Sequence, residues 1–107
     1  MGYQADTTLS ALDVLGDPMR RRILEVLLGR PRPVAEIAAE LPVSRPAVSR
    51  HLRLLKQAGL VSDTAQGTQR IYRIDRAGFA PVIAYWDQFW DEALSAFKTR
   101  VEARRDG

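Results

Sequence analysis

The chain is 107 residues long, with a formal charge of +3, one histidine and no cysteine. That length suits a single domain with a modest core, the absence of thiols excludes disulfides and thiolate metal sites, and no apolar run is long enough to span a bilayer. No charged start followed by an apolar stretch marks a secretory leader, so a cytoplasmic protein with no membrane partner is expected.

Met1 to Ala5 carry no pattern. Asp6 can cap a short first helix in which Leu9, Leu12 and Leu15 recur at every third position, and Gly16 ends it by accepting a left-handed C-terminal turn. Asp17 caps a second helix with Pro18 in its first position, where a missing N–H has no acceptor to lose. Met19, Ile23, Val26 and Leu27 bury one face of this helix. Arg20 lies close to that apolar arc, where a structural ion pair is expected, whereas Arg21 points outward. Gly29 stops the helix, and Pro31 and Pro33 hold an extended connection.

A third, short helix runs from Val34 to Leu41, turns Val34, Ile37, Ala38 and Leu41 inward, and is stopped by Pro42. Only Pro42 and Val43 separate it from Ser44, the cap of a fourth helix reaching Ala58. Two helices joined by so tight a turn describe a helix-turn-helix whose second member is the reader. This fourth helix has two incompatible faces. Val48, Leu52 and Leu55 form a narrow apolar seam, while Arg45, Pro46, Ser49, Arg50, Arg53, Lys56 and Gln57 lie away from it, and the segment holds no acid. An ordinary surface helix mixes charge signs. One made of cations and small polar groups suits a polyanion, since Arg and Ser donors match base edges and phosphates. The expected partner is double-stranded DNA. Arg45, Ser49 and Arg50 occupy the N-terminal half, where base contacts concentrate; Arg53 and Lys56 fall to phosphate, and Ser44 is first a cap. His51, beside Leu52, is assigned no function.

Gly59 ends the reader and the period changes. Leu60 to Thr64 and Arg70 to Ile74 read as strands, with Gly67 in the turn between them. Tyr72 and Ile74 share one face of the second strand, and such a hairpin must lean on the helices to be stable. Its tip carries Gln66, Thr68, Gln69 and Arg70, none acidic, and is read as a wing reaching DNA backbone or a minor groove. A final helix begins at Asp75 or Arg76 and continues to about Val101. Its apolar residues Phe79, Val82, Ile83, Tyr85, Trp86, Phe89, Trp90, Ala93, Leu94 and Phe97 cover an arc of about 180°, where one core needs little more than about 100°. A second copy of the chain is expected over Val82, Tyr85, Trp86, Phe89, Trp90, Ala93 and Phe97, because aromatic anchors are enriched at interface centres. The fold class is mainly α with a two-stranded β-hairpin, a winged helix-turn-helix of five helices in the order α-α-α-α-β-β-α. Residues 1–107 form one domain: a DNA-binding core with the first helix (7–75), a dimerisation helix (76–101) and a charged tail (102–107).

The runs ALDVLGDPMRRRILEVL and VAEIAAELPVSRPAVSRHLRLLKQAGLV, followed by a glycine-tipped hairpin ending IYRID, resemble the ArsR/SmtB family of bacterial winged-helix repressors. The resemblance covers residues 9–75, and the aromatic last helix is similar to the family's dimerisation helix. It implies a homodimer built from the first and last helices, which adds Leu9 and Leu12 to the interface. It also implies an inverted-repeat operator, repression of transcription, and a reader helix that enters the major groove from Ser44. Metal-sensing members carry a cysteine motif near the start of the helix before the reader, or His and acidic ligands on the last helix. Here the first place reads Val34-Ala35-Glu36-Ile37-Ala38, and the last helix has no histidine. Asp87 and Asp91 alone make a weak transition-metal site. The sequence thus resembles the metal-independent branch, with no cofactor expected and a small-molecule effector, a protein or no signal at all as its regulator. An enzyme is not expected, for want of a nucleophile–base pair or a Gly-rich phosphate loop. The alternative is a winged-helix module that docks other proteins through its aromatic helix, against which the acid-free reader argues.

Overall fold

Three helices in this chain begin where a short polar side chain, Asp17, Ser44 or Asp75, takes over a free N–H of the first turn. In the computed structural model, which describes residues 11–106, positions 11–15 are helical (α1); Asp6 and Leu9 lie outside the described residues. Helix α2 (Pro18–Gly29) starts under Asp17, whose Oδ1 accepts from the backbone N–H of Met19 at 2.8 Å and Arg20 at 3.3 Å. Helix α4 (Arg45–Gln57) starts under Ser44, whose Oγ accepts from Ala47 N at 3.3 Å. Between them, α3 (Val34–Ala39) stops short of the expected Leu41. Its last turn tightens: the N–H groups of Glu40 and Leu41 reach back three residues to the Ile37 and Ala38 carbonyls, each at 3.2 Å.

Helix α4 ends in a Schellman turn. Leu60 N donates to Leu55 O and Gly59 N to Lys56 O, both at 3.0 Å, with Gly59 left-handed at φ 81°. That reversal feeds strand β2 (Val61–Gln66), which pairs antiparallel with β3 (Gln69–Ile74) from Val61↔Ile74 to Gln66↔Gln69. The strands run closer to the tip than expected, leaving a two-residue turn of Gly67 and Thr68. Gly67 takes φ 63° at the first central position, the geometry that suits the twist of a hairpin. The hairpin also gains a partner. The proline-held connection forms strand β1 (Arg32–Pro33), paired to β3 through Arg32↔Tyr72, so the sheet has three strands in the order β1-β3-β2. Pro33 is tolerated because β1 is an edge.

The core gathers Ile23, Leu24 and Leu27 of α2, Ile37 of α3, Val48, Leu52 and Leu55 of α4, and Leu60, Val61, Ala11 and Val82. The predicted seam of α4 is borne out in full: all three of its residues have no exposure. On α2 the buried stripe is rotated, with Leu24 inside and Met19 and Val26 half-buried. Truncating Leu52 to Ala would cost about 2–5 kcal/mol, the range for an aliphatic core residue that leaves a cavity.

Helix α5 (Arg76–Asp106) is anchored at its first turns alone. Asp75 N donates to Leu60 O at 3.0 Å, and Asp75 Oδ1 accepts from Gly78 N at 3.3 Å. Gly78 lies directly on Gly59: a Cβ there would overlap the Gly59 carbonyl oxygen and fall 2.6 Å from its carbon. Of the helix's side chains, Val82 enters the core and Phe79 packs against it. Beyond them α5 runs on past the expected Val101, through a stretch of strong helix formers such as Glu102, Ala103 and Arg104.

Candidate nucleic-acid interface

Because Val48, Leu52 and Leu55 face inward, the other side of α4 must face out. Ser44, Arg45, Pro46, Ser49, Arg50, Arg53 and Lys56 are all exposed. The guanidinium groups of Arg45, Arg50 and Arg53 form no ion pair with any described residue. Ser44 caps through its side chain, and its carbonyl accepts from Val48 N at 3.0 Å. Pro46 sits in the first turn, where it removes no hydrogen bond.

The wing is exposed from Thr64 to Arg70. Three of its predicted residues, Thr68, Gln69 and Arg70, share a groove of about 250 Å³ with Arg45 at the start of the reader. No carboxylate lines it, so its donors suit a phosphate oxygen. Gln66 stands on the strand end outside that groove and pairs in register with Gln69.

Two of the predicted cations converge on an acid. Lys56 Nζ lies 2.8 Å from Asp63 Oδ1, and Arg70 Nη1 lies 3.1 Å from Asp63 Oδ2. The side chain of Asp63 is 4% exposed, against 52% for Lys56 and 61% for Arg70. The register explains the meeting. Val61, Asp63 and Ala65 share one sheet face with Ile74, Tyr72 and Arg70 opposite them, and Val61 at the head of that row is buried in the core. The hydrogen bond from Lys56 holds the Asp63 carboxyl below its ordinary value against the opposing effect of burial, helped by the charges of Lys56 and Arg70. Asp63 was not singled out from the sequence, although it is the only acid between Glu40 and Asp75. On the opposite face, Arg73 Nη2 donates to Thr64 Oγ1 at 3.1 Å.

Behind the reader, Arg20 links three segments. Its Nε donates to His51 Nδ1 at 3.3 Å, its Nη1 donates to Val14 O at 3.1 Å, and its Nη2 lies 3.9 Å from Asp17. Arg20 is therefore a structural residue, as its position near the apolar arc predicts, and His51 is its acceptor. Burial would raise the carboxyl of Asp17, but the Met19 and Arg20 N–H bonds and the charge of Arg20 bring it below the usual value. Arg21 is exposed, and its guanidinium donates to Leu15 O at 2.7 Å.

Away from the reader, α5 presents an apolar stripe. Val82 at its base is buried and Tyr85 is half-buried, but Trp86, Phe89, Trp90, Leu94 and Phe97 are exposed, Trp90 and Phe97 each at 63%. Ala93 lies exposed among them. Tyr85 meets Trp86 and Phe89 edge-to-face, and the three rings cluster with centroids 5.1–6.5 Å apart. Leu12 of α1 is half-buried against the core. At the base of α5, Leu24, Leu28, Ile74, Phe79 and Ile83 line an apolar groove of about 430 Å³. Among the described residues, no three His, Cys, Asp or Glu side chains gather where a metal could be held, and no helix is long and apolar enough to cross a membrane.

Comparison with known proteins agrees with this geometry. Residues 17–63 match the family described as bacterial regulatory protein, arsR family. The chain is 44% identical over 96 residues to the HTH-type transcriptional regulator Rv2034 of Mycobacterium tuberculosis, covering 90% of both chains. It is 43% identical over 58 residues to the transcriptional repressor SdpR of Bacillus subtilis, covering 54% of this chain and 63% of that one. Among solved structures it is similar to the homodimeric winged helix-turn-helix DNA-binding domain of Mb0332 from Mycobacterium bovis, with 28% identity and a TM-score of 0.70 over 89% of this chain and 88% of that one.

Proposed function

The chain belongs to the arsR family of bacterial regulatory proteins, and on that premise we propose that it is a homodimeric repressor that grips an inverted-repeat operator with one reader helix per half-site. It is a DNA-binding transcriptional regulator with a winged helix-turn-helix, and not an enzyme. The observation that carries the assignment is the outward face of α4, where Arg45, Arg50 and Arg53 form no ion pair with any described residue, on a helix whose other face is locked by Val48, Leu52 and Leu55.

In this reading Arg45, Ser49 and Arg50 reach base edges, and Arg53 and Lys56 take phosphates. Ser44 and Pro46 set the entry of the helix, and the wing residues Gln66, Thr68, Gln69 and Arg70 follow the flanking backbone. The bare stripe of α5, joined by Leu9 and Leu12, pairs with its copy; a monomer rarely exposes so large an apolar patch, and the Mycobacterium bovis relative is a homodimer. Repression is supported by the Bacillus subtilis relative's name. With no cysteine in the chain, the signal is assigned to an effector other than a thiolate-bound metal, acting in the cytoplasm where the operator lies. The test is Arg50→Ala, titrated against a duplex selected from a random library by the wild-type protein and against an unselected duplex. Affinity for the selected duplex should fall about fivefold to a hundredfold, since a bidentate arginine–guanine pair is worth about 1–3 kcal/mol, while binding to the unselected duplex changes little. Equal losses would reassign Arg50 to phosphate.

A further inference from the structure

We propose that Asp63 is a positioning residue for DNA recognition: a buried carboxylate that braces the wing to the reader and sets the charge their junction offers to the phosphate backbone. The proposal rests on the assignment of α4 as the reader and deepens it.

Three observations carry it. First, Asp63 joins side chains of two elements, since Lys56 belongs to the last turn of α4 and Arg70 to the wing strand β3. Second, the exposures are unequal. The carboxylate is 4% exposed, while both cations keep more than half of their side chains in solvent. Lys56 has further N–H donors beyond the one facing Asp63, and Arg70 has four more, so each can meet a phosphate without leaving the acid. Third, letting go of the acid is costly. Parting both cations from Asp63 gives up two charge-assisted contacts, of 2.8 and 3.1 Å, so the brace holds while the other donors of Lys56 and Arg70 meet phosphate. The result is a pair of donors held at fixed spacing, with a junction charge of +1 in place of the +2 of two free cations.

Fixed donors favour the one register in which phosphates fall opposite them, while mobile cations favour any duplex. The brace therefore trades non-specific attraction for register. Asp63→Asn removes the counter-charge and loosens the pair. Its affinity for an unselected duplex should rise, and its log K against log salt should steepen by about 0.9, the slope for one more neutralised phosphate. Its preference for the duplex selected by the wild type should fall by about tenfold, within the range of one lost base-pair match. The double variant Asp63→Asn with Lys56→Gln restores the junction charge without the brace; its salt slope should return to the wild-type value while its preference stays low. Circular dichroism and the thermal midpoint report whether these variants fold. Should Asp63→Asn not fold, Arg70→Gln on the exposed strand replaces it. The brace predicts that Arg70→Gln loses more affinity for the selected duplex than for the unselected one. An unchanged salt slope and preference in Asp63→Asn, or equal losses in Arg70→Gln, would overturn the proposal. A wild-type protein without salt-dependent DNA binding would instead overturn the reader assignment on which it stands.

Discussion

At the scale of single residues, the protein's electrostatics are set by two aspartates in different settings. Asp17 caps α2 and Asp63 braces the wing, and both are held below the ordinary carboxyl value of 3.8. A group lowered in the folded state stabilises fully above its unfolded value and loses that contribution as pH falls through its folded one. The thermal midpoint of the wild type should therefore decline as pH is taken down from 3.8. Asp63→Asn should start from a lower plateau and show a shallower acid limb. Limbs of equal steepness would mean that other carboxylates govern acid unfolding. Single residues also show where sequence reading stops. Ser44 and Asp17 were legible as caps because capping is local, decided within three positions of chain. Asp63 was not, because its meaning depends on β2 folding back along α4 to bring Lys56 and Arg70 from opposite sides. Only the register Asp63↔Tyr72 discloses that.

At the scale of elements, α4 and α5 meet backbone to backbone at a close joint. Gly59 needs its left-handed backbone to close the Schellman turn, and Gly78 needs to lack a side chain to lie against it. Gly78→Ala places a methyl on the Gly59 carbonyl, which is backbone and cannot swing aside. The expected cost is about 3 kcal/mol or more, from overpacking plus displacement of the α5 base, read as a drop in the urea midpoint. A midpoint within error of the wild type would show that the base of α5 relaxes freely. Element types were largely legible, since the seam Val48, Leu52, Leu55 has the helical period and Gly67 marks a turn. Strand β1 escaped because two residues, one of them Pro33, carry no period, and pairing with β3 is what makes them a strand. The end of α3 escaped for a related reason: Glu40 and Leu41 are good helix formers, and the last turn is set by 3₁₀-type bonding ahead of Pro42.

At the scale of the whole molecule, shape is the informative quantity. A compact chain near 100 residues has a radius of gyration of about 13 Å. This one has 18.5 Å and extents of 68 × 33 × 20 Å. The excess comes from α5, whose aromatic stripe leaves its own body after Val82. In the sequence the stripe was legible as too wide for one core; its isolation was not, because periodicity gives the width of a face and never what covers it. Trp90→Glu should leave the isolated fold intact, since that side chain is already 63% exposed, but convert a sedimenting dimer to a monomer. The monomer should protect a single half-site in a footprint, where the wild type protects two separated by whole helical turns. A variant that still sediments as a dimer would remove α5 from the interface. The long arm meets its own body at the Gly59–Gly78 contact, the point where the reader also ends. From Gly78 to Asp106 the helix makes a lever of about 42 Å on that fulcrum. A tilt of roughly 5° at the joint sweeps the far end through about 4 Å, a third of the roughly 12 Å width of a major groove. If the proposed dimer is held through the α5 stripe, a small change of angle at this joint in either chain shifts the spacing between its two readers.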